Sequence, residues 1–148
     1  MLYLGRRHPL KGVEYLESAV AEIVSGCRSS AVERPKSSPV ELRIVSDAFG
    51  EEKERVWEWC DVLVLPTLSE NFGRVVAEAL EHGKRVIATD GAPAWEGNDY
   101  GGRLRYLAGY REGTRDERVR LLKEAIREMG WNRDVSCGKA FRGIRGLE

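Results

Sequence analysis

Glu70 and Glu78, with seven residues between them, bracket a turn, Asn71-Phe72-Gly73, that follows one apolar run and opens another. Those residue types suit an anionic ligand. Backbone N–H groups at a helix start are unpaired and sit at the positive end of its dipole, and a glycine among them lets a phosphate come close. Glu78, in the second helical turn, can accept two hydrogen bonds from a ribose diol, while Glu70 faces the other end of the same phosphate-linked ligand. Ordinary structure accounts for the same residues. Ser69 or Asn71 can serve as an N-cap, and Arg74, Glu78 and His82 can form an ion ladder at four-residue spacing on a polar helix flank.

A second group, Gly5-Arg6-Arg7-His8-Pro9-Leu10-Lys11-Gly12, places cations in the turn after the first apolar run. An arginine can clamp a diphosphate in bidentate fashion and a lysine adds a mobile point charge. Taken alone the group reads as an exposed basic loop. Arg6 and Lys11 are the candidates, because of two neighbouring arginines only one faces a given side. His8 and His82 stand alone, without the spacing of a metal site. Trp57 and Trp59 read as packing residues, and Trp95 falls in a loop expected to be flexible.

The elements that must position these groups follow from periodicity. Residues 1–4 predict a strand, and residues 12–24 a helix with Val13, Leu16, Ala19, Val20, Ile23 and Val24 on one side. Residues 25–39, rich in Ser and Pro, predict a loop. Residues 40–45 alternate as a half-buried strand, 51–60 predict a helix, and 61–65 a strand buried on both faces. Helix 74–82 ends at Gly83, a natural C-cap, and strand 85–88 follows. Residues 89–102 form a Gly/Pro loop, 103–107 a short strand, 114–129 a helix, and 130–148 a basic tail with little apolar pattern. Alternating strands and helices specify an α/β fold, a doubly wound, Rossmann-like parallel sheet. Ligands in that class bind outside the carboxyl ends of the strands, which is where both groups fall.

The 148 residues suit one domain, expected at 1–129, and the 24 basic and 24 acidic side chains cancel. No global field therefore attracts nucleic acid or an acidic membrane, and the clusters Arg103/Arg105 and Arg115/Arg118/Arg120 read as solvated faces. Cys27, Cys60 and Cys137 have no CxxC spacing, so neither a disulfide framework nor a zinc site is indicated. Without a signal-peptide pattern or an apolar run of about 20 residues, the expectation is a cytoplasmic domain with no membrane span.

Taken together, Gly5-Arg6…Lys11-Gly12 and the string LVLPTLSENFGRVVAEALEHGKRVIATDGAP resemble the donor-binding, C-terminal half of retaining, nucleotide-sugar-dependent glycosyltransferases of the GT-B fold. That family builds lipopolysaccharide and other polysaccharides. The resemblance covers roughly residues 1–129. It implies a UDP- or GDP-sugar donor and no resident metal or other cofactor. It also implies a role for each matched position. Arg6 and Lys11 neutralise the leaving diphosphate. Glu70 approaches the donor sugar as the catalytic carboxylate. Amides at Asn71, Phe72 and Gly73 touch sugar and phosphate, and Glu78 holds the ribose. Transfer then proceeds with retention, by front-face attack guided by the donor phosphate.

The chain departs from the family in two respects. The acceptor-binding half is missing, and one βα unit of about 30 residues is lacking, with 25–39 as the deletion point. Three functions follow: half of a transferase, inactive until a separate acceptor-binding chain docks (with any peripheral membrane association coming through that partner); a non-catalytic nucleotide-binding module; or a truncated remnant.

Overall fold

The computed structural model describes residues 1–28 and 40–130. The tail beyond residue 130 and most of the expected deletion loop lie outside the described residues. Five parallel strands form one sheet: β1 (Leu2–Leu4), β2 (Arg43–Val45), β3 (Val62–Leu65), β4 (Arg85–Thr89) and β5 (Leu104–Leu107). Four α-helices connect and cover them: α1 (Val13–Arg28), α2 (Gly50–Trp59), α3 (Arg74–Glu81) and α4 (Arg115–Gly130). Helix α1 runs past the predicted end at 24, into the segment expected to be loop. The 40–45 strand pairs with β1 only over Arg43–Val45.

The two-residue period of the strands divides the core. Tyr3, Val62, Val64 and Ile87 point to one face and pack with Leu16, Ala19 and Ile23 of α1 and Leu122, Ala125 and Ile126 of α4. Leu2, Leu63, Leu65, Val86 and Ala88 point to the other and pack with Val56, Trp57 and Trp59 of α2 and Val76 and Ala79 of α3. Strand β3 needs an apolar residue at every position because helices cover both of its faces. The sheet is thus doubly wound, as expected.

Local chemistry sets the helix ends. Thr114 and Glu117 form a reciprocal capping box before α4, with N···O distances of 3.3 and 2.7 Å. Past α3, Gly83 takes φ +69, and the amides of Gly83 and Lys84 bond back to Leu80 and Ala79, a Schellman closure. Two arginines expected on solvated faces are clasps instead. Arg118 lies over the Tyr15 ring and donates to Tyr110 O, Arg111 O and Tyr15 Oη. Arg103 donates to the carbonyls of Tyr100 and Leu80. A guanidinium's planar fork can serve several acceptors at once, which a solvated-face reading overlooks.

The sheet order β2-β1-β3-β4-β5 matters most for function. From β1 the chain moves outward to β2, then returns to the far side of β1 for β3. The loops leaving β1 and β3 touch each other but lead to helices on opposite faces, one to α1 and the other to α3. A crevice at the carboxyl ends of those two strands results, the topological switch point of an open α/β sheet.

Candidate functional site at the sheet's switch point

Lys11 and Glu70, one from each residue group singled out in the sequence, meet at this crevice. After β1, Pro9–Lys11 make a single 3₁₀ turn whose start is capped by His8 Nδ1, accepting from the Leu10 amide. Gly12 then turns the chain into α1 with φ +66, pressed so closely on the β3 loop that an added Cβ would lie 2.0 Å from Pro66 O. This places Lys11 over the crevice, where its Nζ lies 2.5 Å from Glu70 Oε2. The two side chains remain partly open to solvent, at 30 and 23%. An ion pair between residues 59 positions apart joins the two loops.

The β3 loop is held from every side. Leu68 N donates to Leu10 O, and the Thr67 hydroxyl lies 3.1 Å from the same carbonyl. Thr89 donates to Thr67 O, Tyr110 to Pro66 O, and Glu70 N to Gly91 O. Trp95 Nε1 donates to Phe72 O at 2.5 Å, and the two rings pack with centroids 5.2 Å apart. Trp95 is therefore not part of a flexible loop. It is buried, and the indole is a strut under the turn 70–73. Trp95→Phe removes the strut's donor and should lower stability by about 1–3 kcal/mol, read from urea denaturation.

Above that strut the chain enters α3. Gly73 is the N-cap, with φ +77 and no side-chain cap bond, so neither Ser69 nor Asn71 fills that role. The amides of Asn71, Phe72 and Gly73 carry no hydrogen bond among the described residues, whereas the Val76 amide, in the first turn, donates to Gly73 O. Asn71 and Phe72 are exposed. Of the two arginines, Arg7 turns away to Glu17, whereas Arg6 is exposed and has no ion pair among the described residues. Tyr3 links Arg6 to the crevice. Its hydroxyl donates to Arg6 O, and burial, then the nearby Glu70 carboxylate, push its pKa to about 12. The phenol stays a donor across the physiological range.

Glu78 does not join the ladder its spacing suggests. Its Oε2 lies 2.6 Å from Nζ of Lys53, on α2, with both side chains about one-third exposed. His82 uses the Glu78 backbone instead. Its Nδ1 donates to Glu78 O at 2.8 Å, its Nε2 lies 3.2 Å from Glu54 Oε2, and its ring stacks on Trp57. The Glu78 carbonyl raises the imidazole's pKa most; burial opposes it, and Glu54 adds a further rise that leaves the net shift upward. A pKa raised on folding adds stability that is complete below the unfolded value of about 6.5 and lost as pH rises through the folded one. His82→Gln should therefore cost more melting temperature at about pH 5.5 than at about pH 8.5.

Lys53, and the structural role of Trp95, escaped the sequence reading. Lys53 stands among Glu51, Glu52 and Glu54, where its nearest visible partners are its own helix neighbours. An apolar ring just after Pro93 was the only hint for Trp95. Among the described residues three large apolar side chains are exposed, Leu10 (48%), Phe49 (80%) and Phe72 (51%), and all sit in loops after β1, β2 and β3. A cavity of about 610 Å³ between Gly97 and Tyr106 lies at the amino end of β5, away from this rim. Among the described residues no group of three or more His, Cys, Asp or Glu could hold a metal ion, and no helix is long and apolar enough to cross a membrane.

The sequence pattern of the family described as glycosyl transferases group 1 matches residues 1–108. No curated protein matches the chain in sequence. Among solved structures, HepE of Anabaena, crystallised in complex with UDP, superposes with a TM-score of 0.51 at 16% identity. The match covers 86% of this chain and 44% of HepE's, so the chain spans less than half the length of that structure.

Proposed function

The chain belongs to the group 1 glycosyl transferases, and we propose that it is the donor-binding half of a retaining enzyme that transfers a hexose from a UDP- or GDP-sugar. The observation that carries this reading is the convergence of Lys11 and Glu70 across the β1/β3 switch point, beside the unpaired amides of the α3 entry. The sequence string shared with the family and the UDP held by HepE support it.

In this reading the donor diphosphate lies over the amides of Asn71, Phe72 and Gly73. Lys11 exchanges its contact with Glu70 for the diphosphate, and the exposed Arg6 closes on the other side. Together they stabilise the charge that grows on the diphosphate as the glycosidic bond breaks, with no resident metal required. Glu70, released by Lys11, faces the donor sugar. Glu78 takes the ribose diol.

Acceptor binding needs a second domain facing this rim. The exposed Leu10, Phe49 and Phe72, in the loops after β1, β2 and β3, are the apolar side chains such a domain would cover. In a cytoplasmic setting, a polysaccharide or lipopolysaccharide acceptor would be presented by that partner. Calorimetric titration with UDP-, GDP- and ADP-sugars tests the proposal. One of them should bind, and the chain alone should transfer nothing. Failure of all three to bind overturns it.

A further inference from the structure

Resting on the nucleotide reading above, we propose that Lys53 is a positioning residue for the ribose, holding the Glu78 carboxylate in the orientation that receives the diol. Helices α2 and α3 both begin at the carboxyl rim. Lys53 lies three residues into α2 and Glu78 four residues into α3, so each is only about 5–6 Å along its helix from the rim. Their ion pair ties together the two rim-proximal ends. It is partly sheltered, and of the two Glu78 oxygens it engages Oε2.

A carboxylate offers about four lone-pair sites. Lys53 occupies one of them, and Oε1 has no hydrogen bond among the described residues. Two hydroxyls can therefore bind without displacing the lysine. What the lysine removes is the rotational freedom of a three-carbon side chain, which would otherwise be lost when ribose binds. The helix's own charges do not substitute for it. Arg74 is one turn before Glu78 and makes no ion pair among the described residues, and His82 contacts the Glu78 carbonyl rather than its carboxylate.

The test compares UDP, GDP and ADP with their 2′,3′-dideoxy counterparts, by calorimetry, on wild type, Lys53→Met, Lys53→Arg and Glu78→Gln. Wild type should prefer the ribose form, and Glu78→Gln should lose that preference. Lys53→Met should weaken the ribose form by about tenfold while leaving the dideoxy form nearly unchanged, and Lys53→Arg should restore most of the loss. Equal losses for both forms in Lys53→Met would assign the lysine a merely structural role and overturn the inference. Tighter ribose binding in Lys53→Met would do the same, by making the pair a competitor of the diol. Either result leaves the nucleotide reading standing if wild type binds and Glu78→Gln loses its preference. Absence of binding by wild type overturns both together.

Discussion

Lys11→Met is expected to weaken binding of the donor nucleoside diphosphate by roughly 30- to 150-fold, about 2–3 kcal/mol. Lys11 is the cation that the fold holds over the crevice, within 2.5 Å of Glu70 and on the far side from α3. Arg6, one turn of chain away and free of ion pairs among the described residues, has to be recruited from solvent, so it cannot replace a charge already in place. The substitution also leaves Glu70 without its partner, and like charge from the ligand then goes unopposed. Lys11→Arg should keep most of the affinity, and Arg6→Ala should cost less than Lys11→Met. Titration of the three variants at fixed ionic strength reads all of this. A loss below about threefold for Lys11→Met would remove Lys11 from the site.

The second large effect concerns the backbone. Gly12→Ala should destabilise the protein by roughly 3–5 kcal/mol, adding the cost of a left-handed alanine to that of moving two packed loops apart. For a chain of this size that is about 6–20 °C in melting temperature. Gly97 provides the control. Its φ is +88 but nothing lies within 4 Å of an added Cβ, so Gly97→Ala should cost only the conformational part, about 1–2 kcal/mol. Gly91 resembles Gly12, since a Cβ there would lie 2.2 Å from Thr67 O. The β3 loop thus touches the loops on both sides through glycines, and adding a methyl at either should loosen the crevice before it unfolds the sheet. Similar melting temperatures for Gly12→Ala and Gly97→Ala would show that the contact with Pro66 is not tight.

Much of this was legible in the residues. The unbroken apolar run Val62–Leu65 could only be a strand covered on both faces, and the period of α1 and α4 named the core positions that the helices bury. Gly83 signalled the end of α3, whereas its N-cap fell on Gly73 rather than on Ser69 or Asn71. The site's main chain was legible for the same reason: a turn after a strand and before a helix has few conformations, and its amides have few places to go. What misled were pairings. The ion partners that the spacing offered Glu78 were Arg74 and His82 on its own helix, yet the partner came from α2, 25 residues earlier. Arg118 was assigned to solvent, yet it reaches Tyr15, 103 residues away. Trp95 looked loose because its loop is rich in glycine and proline, yet the loop's task is to carry that ring under Phe72.

The order of types along the chain settled by itself that this protein is a parallel α/β sheet with its strand-to-helix turns at one rim, because periodicity, turn chemistry and helix ends act over a few residues and leave their mark in consecutive letters. Only the folded chain decided that β3 returns beside β1, that Lys11 meets Glu70 there, and that Lys53 holds Glu78. Those contacts depend on which strands become neighbours, a choice made by the burial of both sheet faces at once and carried by no local stretch of sequence.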